Sequence, residues 1–361
     1  MSIESEFKKN DITVIDRLDT LSVNSLSKSV ASKLSKAFPN QNLSYRNLFV
    51  QISRIPMYIA SIPEGVAEAF YCSQNSSIYF KEGVPVDELE KSAIHEVIHY
   101  LQEVKSKRGA LKRLGLCDFT GVNPYGLALN EGAVQFAASK ADKRTPEMVK
   151  YYDITFSTVS PSYYPLLCNL VSQLVYISDE DSLYNSLFFS TTDYHQELIC
   201  LLGERNFFNI QDKLDSLLYI EEQIIRLNLK LLDPGCTTKQ AFKCGKSIDK
   251  CKKALKKCFF DTQNLIFTSY FNKEFAKLNT TAEIEDYRYK LYNYKNYLGI
   301  TDGYTYFNDF YVNKMEQLEK KYEKIIDNMA LVPSSNSKFS TFMRAIKKIF
   351  ALNKGKEYSN N

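Results

Sequence analysis

The chain has no tryptophan and only three histidines in 361 residues, and its bulky apolar side chains are mainly 25 tyrosines and 23 phenylalanines. It also lacks any uncharged apolar run of the ~20 residues that a membrane-spanning helix requires, which argues against an integral membrane protein. Residues 1–11 carry no apolar stretch of secretory-leader type, so a cytoplasmic location is expected. Charge is nearly balanced, 46 Lys and Arg against 42 Asp and Glu, and a net +4 is too small to demand a polyanionic partner, so no nucleic-acid binding is expected. No Cys-x-x-Cys occurs among the eight cysteines. Cys72, Cys117, Cys168 and Cys200 stand singly in apolar contexts, as small hydrophobes do. Cys244, Cys251 and Cys258 recur every seven residues along one side of a helix, and a cysteine zinc site spaces its ligands more closely, so packing is the favoured reading. The eight lysines of residues 239–257 then form the solvated face opposite.

With histidine this scarce, its placement is informative. Two of the three lie in Ala93-Ile94-His95-Glu96-Val97-Ile98-His99-Tyr100-Leu101, an H-E-x-x-H motif in which every other position is uncharged. On a helix His95 and His99 share one face with Cβ atoms roughly 5–6 Å apart and can close on one ion. Such a pair suits Zn²⁺, with Glu96 as the base that deprotonates a water. Two histidines leave a catalytic zinc site one protein ligand short. Glu131 is the candidate. It is the single charge in the apolar run from Gly121 to Ser139, where an unpaired carboxylate is expensive to bury; the alternative is a solvent-facing glutamate.

His95-Glu96-Val97-Ile98-His99 followed 32 positions later by Asn130-Glu131-Gly132 resembles the gluzincin zinc metallopeptidases. Asn-Glu-Gly is similar to the thermolysin-like and aminopeptidase-like branches. Glu131-Gly132-Ala133 with Phe136-Ala137-Ala138, and the long spacing, are closer to ImmA/IrrE-type peptidases, so the branch stays open. The resemblance spans roughly residues 45–140. It implies a zinc held by His95, His99 and Glu131, and an edge strand above the metal that pairs with an extended peptide. It also implies a Tyr or His beyond the third ligand that stabilises the oxyanion. His195 is the residue chosen for that role, with Tyr151, Tyr152, Tyr163 and Tyr164 as further candidates. One turn after Glu131, where the thermolysin-like pattern has an aspartate bound to the first histidine, stands Gln135, which either supplies a carbonyl instead or faces solvent.

Ser76–Phe80 reads as a short strand and is matched to that edge, and residues 48–60 have strand-like composition interrupted by Pro56. Beyond residue 160 apolar spacings of three and four predict helices at 163–178, 204–232, 240–278, 282–298 and 306–330. The fold class is therefore α+β, a zincin-like N-terminal unit with a small edge-strand sheet followed by a mainly α-helical bundle. The expected domains are residues 1–160, 161–332, and a linker with a basic amphipathic tail at 333–361. That tail interleaves Phe339, Phe342, Ile346 and Phe350 with lysines and suits peripheral contact with an anionic membrane or packing on the chain's own bundle. The expected activity is zinc-dependent hydrolysis of a peptide or protein substrate. Its rival is a helical interaction or scaffold protein carrying a vestigial zincin module.

Overall fold

A computed structural model describes residues 7, 11–65, 67–85, 88–121, 124–299 and 304–331. The expected tail at 333–361 lies outside them. Helix α1 (Thr20–Ala37) starts where the Asp19 side chain accepts from the N–H groups of Leu21 and Ser22, and it buries Leu26, Val30, Ala31 and Leu34 along one stripe. Ser44 caps α2 (Tyr45–Ile52) in the same way through Asn47 N–H, and Leu48 and Ile52, one turn apart, face the core. This corrects the strand reading of residues 48–60, because a good N-cap and an i, i+4 apolar pair override strand-like composition up to Ile52. Extended chain begins only after Pro56.

Four strands form a mixed sheet: β1 (Thr13–Arg17), β2 (Met57–Ser61), β3 (Ala69–Cys72) and β4 (Ser77–Lys81), in the order β1-β2-β4-β3. β4 runs parallel to β2, with Met57 opposite Ile78, and antiparallel to β3, with Phe70 opposite Tyr79. The strand expected at the edge is thus interior, and β3 is the edge on that side. The sequence carries the reason: Ile78, Tyr79 and Phe80 are all buried, a continuous apolar run typical of a strand covered on both faces rather than an alternating one.

Helix α3 (Leu89–Gln102) packs on β3, β4 and α1 and buries Ala93, Ile94, Val97 and Ile98. A small antiparallel sheet of β5 (Glu103–Lys105), β6 (Leu111–Leu114) and β7 (Cys117–Asp118) leads into α4 (Leu127–Ala141). α4 is buried nearly all round, touching α1, α3, α5 (Pro165–Ile177), α6 (Glu180–Phe189) and α8 (Glu204–Leu232), so its small residues Ala128, Ala133, Ala137 and Ala138 let five helices approach. Between α4 and α5 lies the hairpin β8 (Glu147–Tyr151) and β9 (Ile154–Thr158), with Tyr151 opposite Ile154. Its two turn residues, Tyr152 (φ 47°) and Asp153 (φ 61°), both adopt the left-handed region that a tight two-residue hairpin needs. The short α7 (Asp193–Leu202) precedes α8, and α9 (Thr238–Lys277), α10 (Thr281–Leu298) and α11 (Tyr304–Leu331) complete the order.

The described chain forms two compact units. One holds everything up to Tyr270. The other holds Phe271–Gly299 and the helix from Tyr304, built around Phe271 in edge contact with Tyr287 and Tyr294, with Thr280 and Glu283 forming a capping box for α10. This is the α+β arrangement of a zincin-like N-terminal region followed by helices. Cys244, Cys251 and Cys258 lie along α9 without a disulfide, Cys244 buried and the others half-buried. Among the described residues no helix is long and apolar enough to cross a membrane.

Gly132 leaves α5 no room for a side chain on α4, since a Cβ there would sit 2.9 Å from Val171 Cγ2 and 3.0 Å from Leu167 Cβ. Gly132→Ala would gain up to about 1 kcal/mol of helix propensity and lose about 1–3 kcal/mol to overpacking. The expected outcome is a lower midpoint of urea unfolding with an unchanged slope.

Candidate metal centre

α3 and α4 cross so that the two motifs face each other. His95 Nε2 lies 3.0 Å from His99 Nε2, and the two Glu131 oxygens lie 3.4 and 3.5 Å from these nitrogens. Bond lengths of about 2.0–2.1 Å in a tetrahedral zinc site would put ligand atoms about 3.3 Å apart, so the three donors fit such an ion. His95, His99 and Glu131 are also the group of potential metal ligands that converges among the described residues. All three side chains are nearly buried.

Each imidazole is held by its other nitrogen. His95 Nδ1–H donates to Gln135 Oε1 at 2.8 Å, Gln135 Nε2 donates to Ser160 Oγ at 2.9 Å, and Ser160 Oγ–H donates to the Tyr163 carbonyl at 2.7 Å. Gln135 therefore supplies the carbonyl that an aspartate would otherwise provide. His99 Nδ1–H donates to Gln102 Oε1 at 3.3 Å, and Gln102 exchanges amide bonds with Asn130, the residue before Glu131. Leu116 N–H reaches Asn130 Oδ1 at 3.0 Å. Gly115, at φ 56°, lies so close to this amide pair that a Cβ would fall 2.4 Å from both Asn130 Oδ1 and Gln102 Nε2. These bonds set both rings with Nε2 toward Glu131.

Electrostatics point to a cation among the three. Burial pushes the His99 imidazolium down, but the Glu131 carboxylate beside it outweighs burial and leaves its pKa raised to about 9. Burial likewise raises Glu131, and the two imidazoles reverse the effect and hold it well below the ordinary carboxylate range. Glu96 has the opposite balance, since burial raises its pKa despite the flanking histidines. Its carboxylate accepts from the Tyr71 N–H on β3.

His95 opens into a cleft of about 470 Å³, lined also by Glu96, Ala69, Gln135, Tyr164 and Glu221 among others. Tyr164 stacks on His95 with ring centroids 6.0 Å apart, and the Glu131 charge and burial hold its phenol well above the ordinary value, so it stays a donor. It sits at φ 47°, left-handed without being glycine, immediately before Pro165 at the first turn of α5. Of the other candidates, Tyr163 and Tyr151 line the cleft, Tyr163 donating to Glu68. His195 is not brought to it: on α7 its ring packs on Phe207, its Nε2 is 3.5 Å from Gln211 Nε2, and burial lowers its pKa to about 4.

Sequence reasoning missed Glu221 altogether. Its signal was a charge on an apolar stripe, since α8 buries Leu214, Leu217, Glu221 and Ile224 together. Burial raises its pKa from 4.5 to about 7, against the Tyr151 hydrogen bond, which lowers it. Two predictions follow from these environments. Gln135→Leu should weaken zinc affinity by about 10–100-fold, measured by competition with a chromophoric chelator. Because Glu221 ionises less readily in the folded chain than in the unfolded one, its contribution to stability is full below pH 4.5 and declines as pH rises to about 7. Glu221→Gln abolishes that decline. Its unfolding free energy, relative to wild type, should grow by about 2–3 kcal/mol across the window in denaturant titrations at stepped pH.

No family model matches the chain, and no curated protein or solved structure matches it. The geometry itself carries the assignment: His95, Glu96 and His99 on one helix with buried Glu131 on the next match the zinc-binding architecture of the HExxH gluzincins.

Proposed function

We propose that this protein is a zinc-dependent peptidase, cytoplasmic and acting on peptide or protein substrates. The observation that carries the reading is the convergence of His95 Nε2, His99 Nε2 and Glu131, with His95 and Glu96 lining an open cleft. His95, His99 and Glu131 would hold the ion, which when bound supplies Lewis acidity toward a carbonyl and lowers the pKa of water toward about 7.

The remaining chemistry belongs to the chain. Glu96, raised in pKa by its burial, takes a proton from the attacking water and delivers it to the departing amine nitrogen. The Tyr71 N–H fixes the carboxylate while it does so. Tyr164, kept protonated by the neighbouring Glu131 charge, donates its hydroxyl hydrogen to the carbonyl oxygen as negative charge develops there, the role expected of His195 from the sequence. On β3 the Glu68 carbonyl accepts from Lys81 N–H, so the ladder to β4 uses Glu68, Phe70 and Cys72, and Ala69 and Tyr71 turn their N–H and C=O groups to the free edge. Tyr71 N–H is taken by Glu96. Ala69 lines the cleft and is left to pair with an extended substrate.

Glu96→Gln should retain one zinc per chain by elemental analysis and lose about a hundredfold or more in kcat/KM on a peptide library read by mass spectrometry. Glu131→Gln should lose zinc. Wild-type turnover by the Glu96→Gln protein would overturn the reading and leave a metal-binding scaffold in its place.

A further inference from the structure

Glu221 is a charged residue on a helix face that otherwise serves the core. It is 5% exposed, yet it lines the same cleft as His95, Glu96 and Tyr164. One carboxylate oxygen accepts from the Tyr151 hydroxyl. The other, Oε2, is buried and has no hydrogen-bond partner among the described residues. No Lys or Arg pairs with it there, and Lys81, which also lines the cleft, is engaged by Glu64 at 2.6 Å. A dry carboxylate with neither cation nor second donor is unfavourable, and a leucine in register with Leu217 and Ile224 would avoid the penalty. The lining is acidic overall, with five glutamates and two lysines, so the cleft attracts cations.

We infer that Glu221, oriented by Tyr151, is a subsite of the cleft that receives a primary ammonium group of the substrate. This rests on the peptidase reading above for the identity of the substrate as a peptide. A single free oxygen suits a compact point-charge donor, whereas a guanidinium is matched by two oxygens, one of which Tyr151 already occupies. Burial holds the Glu221 pKa at about 7, and an incoming ammonium would restore the carboxylate. Tyr151 is delivered by the β8–β9 turn at the end of β8, where Tyr152 and Asp153 adopt left-handed backbone, and Tyr164 lies near enough to feel the Glu221 charge. The subsite therefore adjoins the proposed oxyanion donor. The ammonium has two sources, the peptide's α-amino terminus or a lysine side chain.

Binding separates them. Three C-terminally labelled tetrapeptides are titrated by fluorescence anisotropy into the zinc-loaded Glu96→Gln chain: one with a free amino terminus and neutral side chains, one N-acetylated with a single lysine, and one N-acetylated with acetyl-lysine. At least one ammonium probe should bind about tenfold or more tightly than the neutral one, and which of them does so identifies the source. In Glu96→Gln/Glu221→Gln, an isosteric change, the margin should fall below about twofold. Tyr151→Phe, which leaves the carboxylate in place, should keep the preference. Equal binding of all three probes, or a margin that survives Glu221→Gln, overturns the subsite. Cleavage by the wild type is scored separately: a margin in binding with no hydrolysis of any peptide would sink the peptidase reading and leave the subsite standing. Hydrolysis of all three at equal rates, with equal binding, would do the reverse.

Discussion

A carboxylate between two imidazoles, sealed into a layer of otherwise apolar helices, is tolerable only with a positive charge among them. Much of the N-terminal region follows from that constraint. α3 must turn His95 and His99 inward, α4 must present Glu131 on a helix whose buried residues are otherwise uncharged, and the polar atoms behind each ring must be satisfied by amides rather than water. Gln135 does this for His95 and Gln102 for His99. Both are neutral, so neither adds charge to the ligand set.

Around this centre neutral and ionisable groups have separate tasks. The amides and Ser160 hold the rings, Gln135 also reaching the cleft; the ionisable lining of that cleft includes Glu96, Tyr164, Tyr151 and Glu221, each perturbed upward in pKa, by burial above all for three of them and by the neighbouring Glu131 charge for Tyr164. The groups that would meet a substrate therefore hold their protons more tightly than the same side chains do in water. Among those that would meet the metal the shifts diverge, His99 raised to about 9 by the Glu131 carboxylate and Glu131 held low by the imidazoles. One helix pair produces both because α3 carries His95 and Glu96 as neighbours, diverging by about 100° around the axis.

The ligand set was legible in the sequence because it follows from local spacing: an i, i+4 histidine pair and a lone carboxylate in an apolar run. The long helices were legible for the same reason, and α8, α10 and α11 fall close to the ranges the periodicity indicated. Strand order was not. Whether Ser77–Lys81 lies at an edge or inside depends on β2, distant in sequence, joining it in parallel, and local alternation carries no such information. Tyr164 was one of 25 tyrosines, distinguished only by a left-handed backbone that a Tyr-Pro pair does not announce. His195 satisfies the resemblance by residue type alone, and residue type says nothing about where α7 sends a side chain. The junction between the two units falls at Tyr270 inside the unbroken 40-residue α9, where no composition shift could mark it.

Gly115 belongs to the metal centre although it has no side chain to offer. Its backbone occupies the space against the Gln102–Asn130 amide pair, with Ser190 Oγ accepting from its N–H at 2.8 Å while donating to the Gln102 carbonyl. The tightness of the centre is thus written partly in excluded volume. A chain could keep all three metal ligands, the general base and every hydrogen-bonding amide, and still lose the alignment of His99 through the gain of one methyl group in a loop. Chemical identity at the ligands is necessary there, and emptiness at a neighbouring turn is equally a part of the code.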